Sequence, residues 1–115
     1  MLTYAIDFDG TLCTDAWPDI GEPISDTINF CKARKAEGHK LIFWSCREGE
    51  MMARAIVWCA DRGIHFDSIN ANLPEFVAKY GGDCRKVFAD YYLDDRNILM
   101  QMGGKPPSLS SREAE

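Results

Sequence analysis

An apolar run from Leu2 to Ile6 stops at Asp7-Phe8-Asp9-Gly10-Thr11, and this junction constrains the fold more than any other stretch. The run reads as a buried strand, Leu2 to Phe8. Two carboxylates so close together at a strand end raise each other's pKa, so something there has to use them. A bound divalent cation removes the cost, and hard oxygen ligands favour Mg²⁺ or Ca²⁺. Gly10 permits a sharp turn and a close ligand approach to the amides. Thr11 adds a hydroxyl donor. These parts suit a phosphoryl group held over a metal beside an attacking carboxylate.

The chain has 115 residues, which fits one small domain. Its formal charge of −5, with no Lys/Arg run, argues against a nucleic-acid-binding face. No segment approaches the length of a transmembrane helix. The N-terminus lacks a basic region followed by a long apolar stretch, so no signal peptide is expected. The five cysteines are odd in number, widely spaced and without a C-x-x-C pair. They read as reduced thiols of a cytoplasmic protein.

Strands alternate with helices along the chain, without repeats or an internal linker. Cys13 to Glu22, with Trp17-Pro18 and Gly21, has no helical period and reads as a loop, a flap beside the first acidic loop. Pro23 suits a first helical turn, Ile24, Ile28 and Cys31 recur at helical spacing, and Gly38 ends that helix. Lys40 to Ser45 is a second buried strand. Gly49 to Arg62 carries Met52, Ala55, Ile56 and Cys59 on one helical face, with Gly63 closing it. Ile64 to Ile69 is a short third strand. Asn72 reads as the N-cap of a short helix with Pro74 just inside it. Val87 to Leu93 is a fourth strand opening onto Asp94-Asp95, and a last helix follows to about Met102. Residues 1–102 form the domain; residues 103–115 are rich in Gly, Pro, Ser and charge and read as a disordered tail.

Repeated β-α-β order implies a mostly parallel sheet with helices on both faces. Ligands of such sheets sit beyond the carboxyl ends of the strands, at a topological switch point. Asp7/Asp9, Ser45 and Asp94/Asp95 all lie at such ends, and a parallel sheet brings them to one rim.

In that order, Asp7-Phe8-Asp9-Gly10-Thr11, Ser45 after an apolar strand and Leu93-Asp94-Asp95 after another resemble the first, second and fourth motifs of the haloacid dehalogenase (HAD) superfamily. The resemblance covers residues 1–100. It implies an α/β three-layer sandwich of Rossmann-like type around a mostly parallel sheet, and a Mg²⁺-dependent phosphatase. By the resemblance Asp7 is the nucleophile and forms an aspartyl-phosphate, and Asp9 is the general acid and base. Mg²⁺ is held by Asp7, the backbone carbonyl of Asp9, Asp94, and Asp95 directly or through water. Ser45 donates to a phosphoryl oxygen, and Thr11 with the loop amides steadies the motif and the equatorial oxygens.

The third motif, a Lys in that superfamily, has no obvious counterpart. A strand of that length would put Lys86 on the wrong rim, about 26 Å from Asp94, and Lys79 is near the far end of its helix. Arg47, two residues after Ser45, is the expected phosphate-binding cation, unless it is an exposed surface charge. Without such a cation the chain reads as a catalytically weak phosphate- and metal-binding or regulatory protein. Asn70 and Asn72 stand near the usual Lys position. Asp95 has a second reading as a helix cap, and Ser45 as another. Cys46 reads as a packing residue, and Trp17 as either packing or a lip over the site. The gaps between motifs leave no room for a cap domain. An open, capless site fits a macromolecular phosphorylated substrate, broad selectivity, or a lid supplied by a second copy of the chain.

Overall fold

The computed structural model of the chain describes residues 1–98. Four short strands form one parallel sheet: β1 (Thr3–Ile6), β4 (Lys40–Phe43), β5 (Ser68–Ile69) and β6 (Tyr91–Leu93), in the order β5-β4-β1-β6. A separate antiparallel pair, β2 (Cys13–Ala16) and β3 (Asp19–Pro23), follows the first acidic loop. The helices are α1 (Ser25–Ala36), α2 (Gly49–Asp61) and α3 (Pro74–Tyr80).

β1 is central because all four of its residues are buried, and only an interior strand of a parallel sheet covers both faces. Its alternate side chains enter two clusters. Tyr4 and Ile6 pack with Ile28 and Cys31 of α1 and Ala55 and Cys59 of α2. Ala5 packs with Ile42, Leu73, Val87 and Ala89, and Phe76 of α3 rests on that second cluster. Register is pinned at both ends of β1. Thr3 N–H donates to Asp90 Oδ2 at 2.7 Å, and Asp7 N–H donates to the Leu93 carbonyl at 2.9 Å.

From β1 the chain moves outward through β4 to β5, then crosses back to place β6 on the other side of β1. The switch point therefore lies beyond the carboxyl ends of β1 and β6, where Asp7 and Asp94 emerge.

Several expected elements differ. The Cys13–Glu22 stretch is a hairpin rather than a loop. Its side chains are mostly outside the core, so no apolar alternation marked it. Pro23 closes β3 instead of opening α1. The third strand shrinks to two residues and the fourth to three. Val87 and Ala89 are buried, but Phe88 N–H donates to the Asn72 side chain at 2.7 Å rather than to a ladder. Asn72 is consequently a buried clamp and not a cap: its amide also reaches Asp83 Oδ1 at 2.8 Å and the Cys84 carbonyl at 3.2 Å. Asp95 and Arg96 form a turn, not a first helical turn. The rest of the expected last helix, and the tail at 103–115, lie outside the described residues.

Candidate functional site

The acidic rim is assembled by two strand ends and one glycine. One carboxylate oxygen from each of Asp7, Asp94 and Asp95 lies within 4.8 Å of the others. Gly10 makes room for this. Its φ is +86°, and a Cβ there would stand 2.8 Å from Asp95 Cγ, so only glycine meets both demands. Burial first, and then the neighbouring Asp94 charge, push the Asp7 carboxyl up to about 6. Asp95 adds to the rise, while the Phe8 backbone and Thr11 hydrogen bonds oppose it. Three crowded carboxylates with an all-oxygen donor set fit a hard divalent cation; they fit poorly with one another alone.

Thr11 is buried, and its hydroxyl donates to Asp7 Oδ2 at 3.3 Å. That bond steadies the carboxylate, as expected of Thr11 within the motif.

Asp9 stands apart from the three clustered acids. Arg47 Nε donates to its Oδ2 at 2.8 Å and Nη2 to its Oδ1 at 2.7 Å. The guanidinium is 1% exposed and also donates to the carbonyls of Pro18, at 3.3 Å, and Asp19, at 2.9 Å. Its Cζ lies 4.9 Å from the Trp17 ring centroid and 5.2 Å from that of Phe8. The hydrogen bond to Asp9, against the cost of burial, holds the Arg47 pKa above its ordinary value. The cation expected to meet the phosphate, or to lie exposed, is thus spent on joining Asp9, the β2–β3 hairpin and the loop after β4.

Ser45 lies on the wall of a cleft of about 440 Å³ that also contains Asp7, Asp9, Asp94, Trp17 and Arg96. Its Oγ accepts the Arg47 N–H at 3.1 Å, which leaves the hydroxyl proton to donate. Asn70 fixes its backbone from both sides: Ser45 N–H donates to Asn70 Oδ1 at 2.8 Å, and Asn70 Nδ2 donates to the Ser45 carbonyl at 2.9 Å. Asn70 does so from a left-handed conformation, φ 49°, which Asn tolerates. Cys46 is exposed and lines the same cleft, contrary to a packing role.

Sequence reasoning misses one contributor and the role of another. Arg96 follows the acidic pair directly and lines the cleft. Among the described residues its guanidinium makes no ion pair. Its adjacency to Asp94-Asp95 was the available signal. Asn70 was noted only for its place in the chain, and its positive φ is a tertiary outcome. Lys86 Nζ lies 5.6 Å from the Tyr92 ring centroid, and Lys79 Nζ 5.2 Å from that of Tyr80.

No protein-family model matches the chain, and no curated protein matches it. Among solved structures, a conserved protein coded by a locus of Bacteroides thetaiotaomicron is similar, with 42% identity and a TM-score of 0.75. The match covers 92% of this chain and 82% of that one.

Proposed function

The chain belongs to the same family as the conserved Bacteroides thetaiotaomicron protein, and we propose that it is a Mg²⁺-dependent phosphomonoester hydrolase working through an aspartyl-phosphate. The observation that carries this reading is the convergence of Asp7, Asp94 and Asp95 at the switch point of a parallel sheet. The finer fold assignment, a capless HAD-like three-layer sandwich, belongs to the same proposal. A cytoplasmic location does too, in keeping with five unpaired thiols.

Asp7 attacks phosphorus, the ester P–O bond breaks, and its electron pair leaves with the alcohol oxygen, which takes a proton from Asp9. Water then attacks the aspartyl-phosphate while Asp9 takes its proton, releasing inorganic phosphate and restoring Asp7. Thr11 keeps Asp7 aimed. Ser45 donates to a phosphoryl oxygen. Arg96 takes the place proposed from sequence for Arg47, as the cation that reaches the phosphoryl group. Asp7, Asp94 and Asp95 would hold Mg²⁺, which would supply charge neutralisation for the anionic substrate and the transferring group.

Arg47 aims Asp9 and also restrains it, since it occupies one lone pair on each carboxylate oxygen. That pair favours a second reading: a domain that binds metal and phosphate and turns over poorly. Hydrolysis of a generic aryl phosphate with and without Mg²⁺, in the parent and in Asp7→Asn, separates the two. Metal-dependent turnover that disappears in a folded Asp7→Asn supports the hydrolase. Turnover retained in that variant refutes the covalent mechanism. No turnover in the parent, with Mg²⁺ still raising its Tm, supports the binding domain.

A further inference from the structure

The hairpin β2–β3 brings one aromatic residue to the cleft. Trp17 is 57% exposed and stands at the rim of the polar cleft. One side of its indole is packed by the buried Arg47 guanidinium, 4.9 Å from the ring centroid. The hairpin tip is held by Arg47 bonds to the Pro18 and Asp19 carbonyls, and by Trp17 N–H donating to Asp15 Oδ1 at 3.3 Å. Trp17 is therefore no loose surface residue. A desolvated guanidinium with four hydrogen bonds sets it in place and links it to Asp9. Trp17 lines the same cleft as Asp7, Ser45 and Asp94.

The chemistry around it narrows the ligand. The lining carries four carboxylates, Asp7, Asp9, Asp15 and Asp94, against the guanidinium groups of Arg96 and of Arg47, the latter paired with Asp9. A leaving group with further negative charge would be repelled there, while a neutral planar ring gains from stacking on the exposed indole. The cleft volume of about 440 Å³ falls within the range of small-ligand sites.

We propose that Trp17 is the platform for the substrate's leaving group, so that the preferred phosphomonoesters carry an uncharged planar aromatic ring, as in a nucleoside 5′-monophosphate or an aryl phosphate. This rests on the hydrolase reading for the phosphoryl end of the substrate. Arg47 is a positioning residue, acting through Trp17 and Asp9.

The test compares the parent, Trp17→Ala and Trp17→Phe on a nucleoside 5′-monophosphate, p-nitrophenyl phosphate and glycerol phosphate, all with Mg²⁺. In Trp17→Ala the ratio of kcat/KM for an aromatic substrate to that for glycerol phosphate falls about 5- to 150-fold, the amount ring stacking carries. Trp17→Phe recovers most of the ratio. A fall confined to one aromatic substrate identifies that source. An unchanged ratio, including an equal loss on all three substrates, overturns the proposal. If the parent hydrolyses none of them, the hydrolase reading fails, and calorimetric binding of the nucleoside monophosphate with Mg²⁺ decides the platform. Binding weakened in Trp17→Ala supports it; equal or absent binding overturns it.

Discussion

At the amino end of the sheet, Asp67 and Asp90 are satisfied by the protein itself. Asp67 accepts from Lys35 Nζ at 2.6 Å and Leu41 N–H at 2.8 Å, and Asp90 accepts from Thr3 N–H. At the carboxyl end, Asp7, Asp94 and Asp95 crowd one another. The same side chain titrates in opposite directions at the two rims. Burial works to raise the Asp67 carboxyl, but the Lys35 and Leu41 hydrogen bonds outweigh it and the pKa is lowered. Burial raises Asp7 as well, and there the neighbouring charge of Asp94 adds to it. One rim uses carboxylates to pin strand register. The other crowds carboxylates into a cluster that could hold a metal ion.

The sharpest way to break this contrast is at Asp94. Asp94→Asn removes one acid of the cluster, and Mg²⁺ affinity should fall by about 10- to 100-fold. The Mg²⁺-induced rise in Tm should vanish over the concentrations that stabilise the parent. A full metal-induced shift in this variant would exclude Asp94 as a ligand.

Asp67→Ala should do the reverse. It deprives the buried Leu41 N–H of its acceptor and should lower stability by about 1–3 kcal/mol, read from urea unfolding. Its Mg²⁺-induced Tm shift should equal the parent's. A loss of metal response here would mean that the two rims are coupled.

The smallest effect is the pH slope without metal. Asp7 binds its proton more tightly in the folded state, so its contribution to stability falls as pH rises between the ordinary carboxylate range and about 6. Asp7→Asn should remove that downward slope and leave the metal-free protein more stable than the parent at pH 7. Asp67 has the opposite sign: its contribution is present above the unfolded carboxylate pKa and is lost as pH falls through the lowered folded value. Paired urea titrations at pH 4, 5, 6 and 7 would measure the Asp7 slope, and points at pH 2 and 3 the Asp67 one. A parent profile that Asp7→Asn leaves unchanged would remove Asp7 as its source.

Sequence reasoning located the acidic rim because its signals are local. The burial of β1 and β4 is written in contiguous apolar runs, and a parallel sheet brings the residues that follow them to one edge. Arg47 was legible as a cation near Ser45 but not as a clamp, because its partners are 38, 29 and 28 positions away. The hairpin was hidden by its exposed faces, although Trp17-Pro18-Asp19 carried a turn signal. The fourth strand was drawn too long because burial alone does not distinguish ladder residues from Val87 and Ala89, which pack against the second cluster.

The sequence by itself determined a parallel α/β sheet, two of its buried strands and the acids at the carboxyl end, since all three depend on hydrophobic periodicity and on neighbours within a few residues. The tertiary structure alone decided which acids are paired and which are crowded. It also decided that Arg47 serves the protein, that Arg96 shares the cleft and that Trp17 stands at its rim. Those outcomes rest on distances between residues remote in the chain, and no local pattern sets the position of one loop against another.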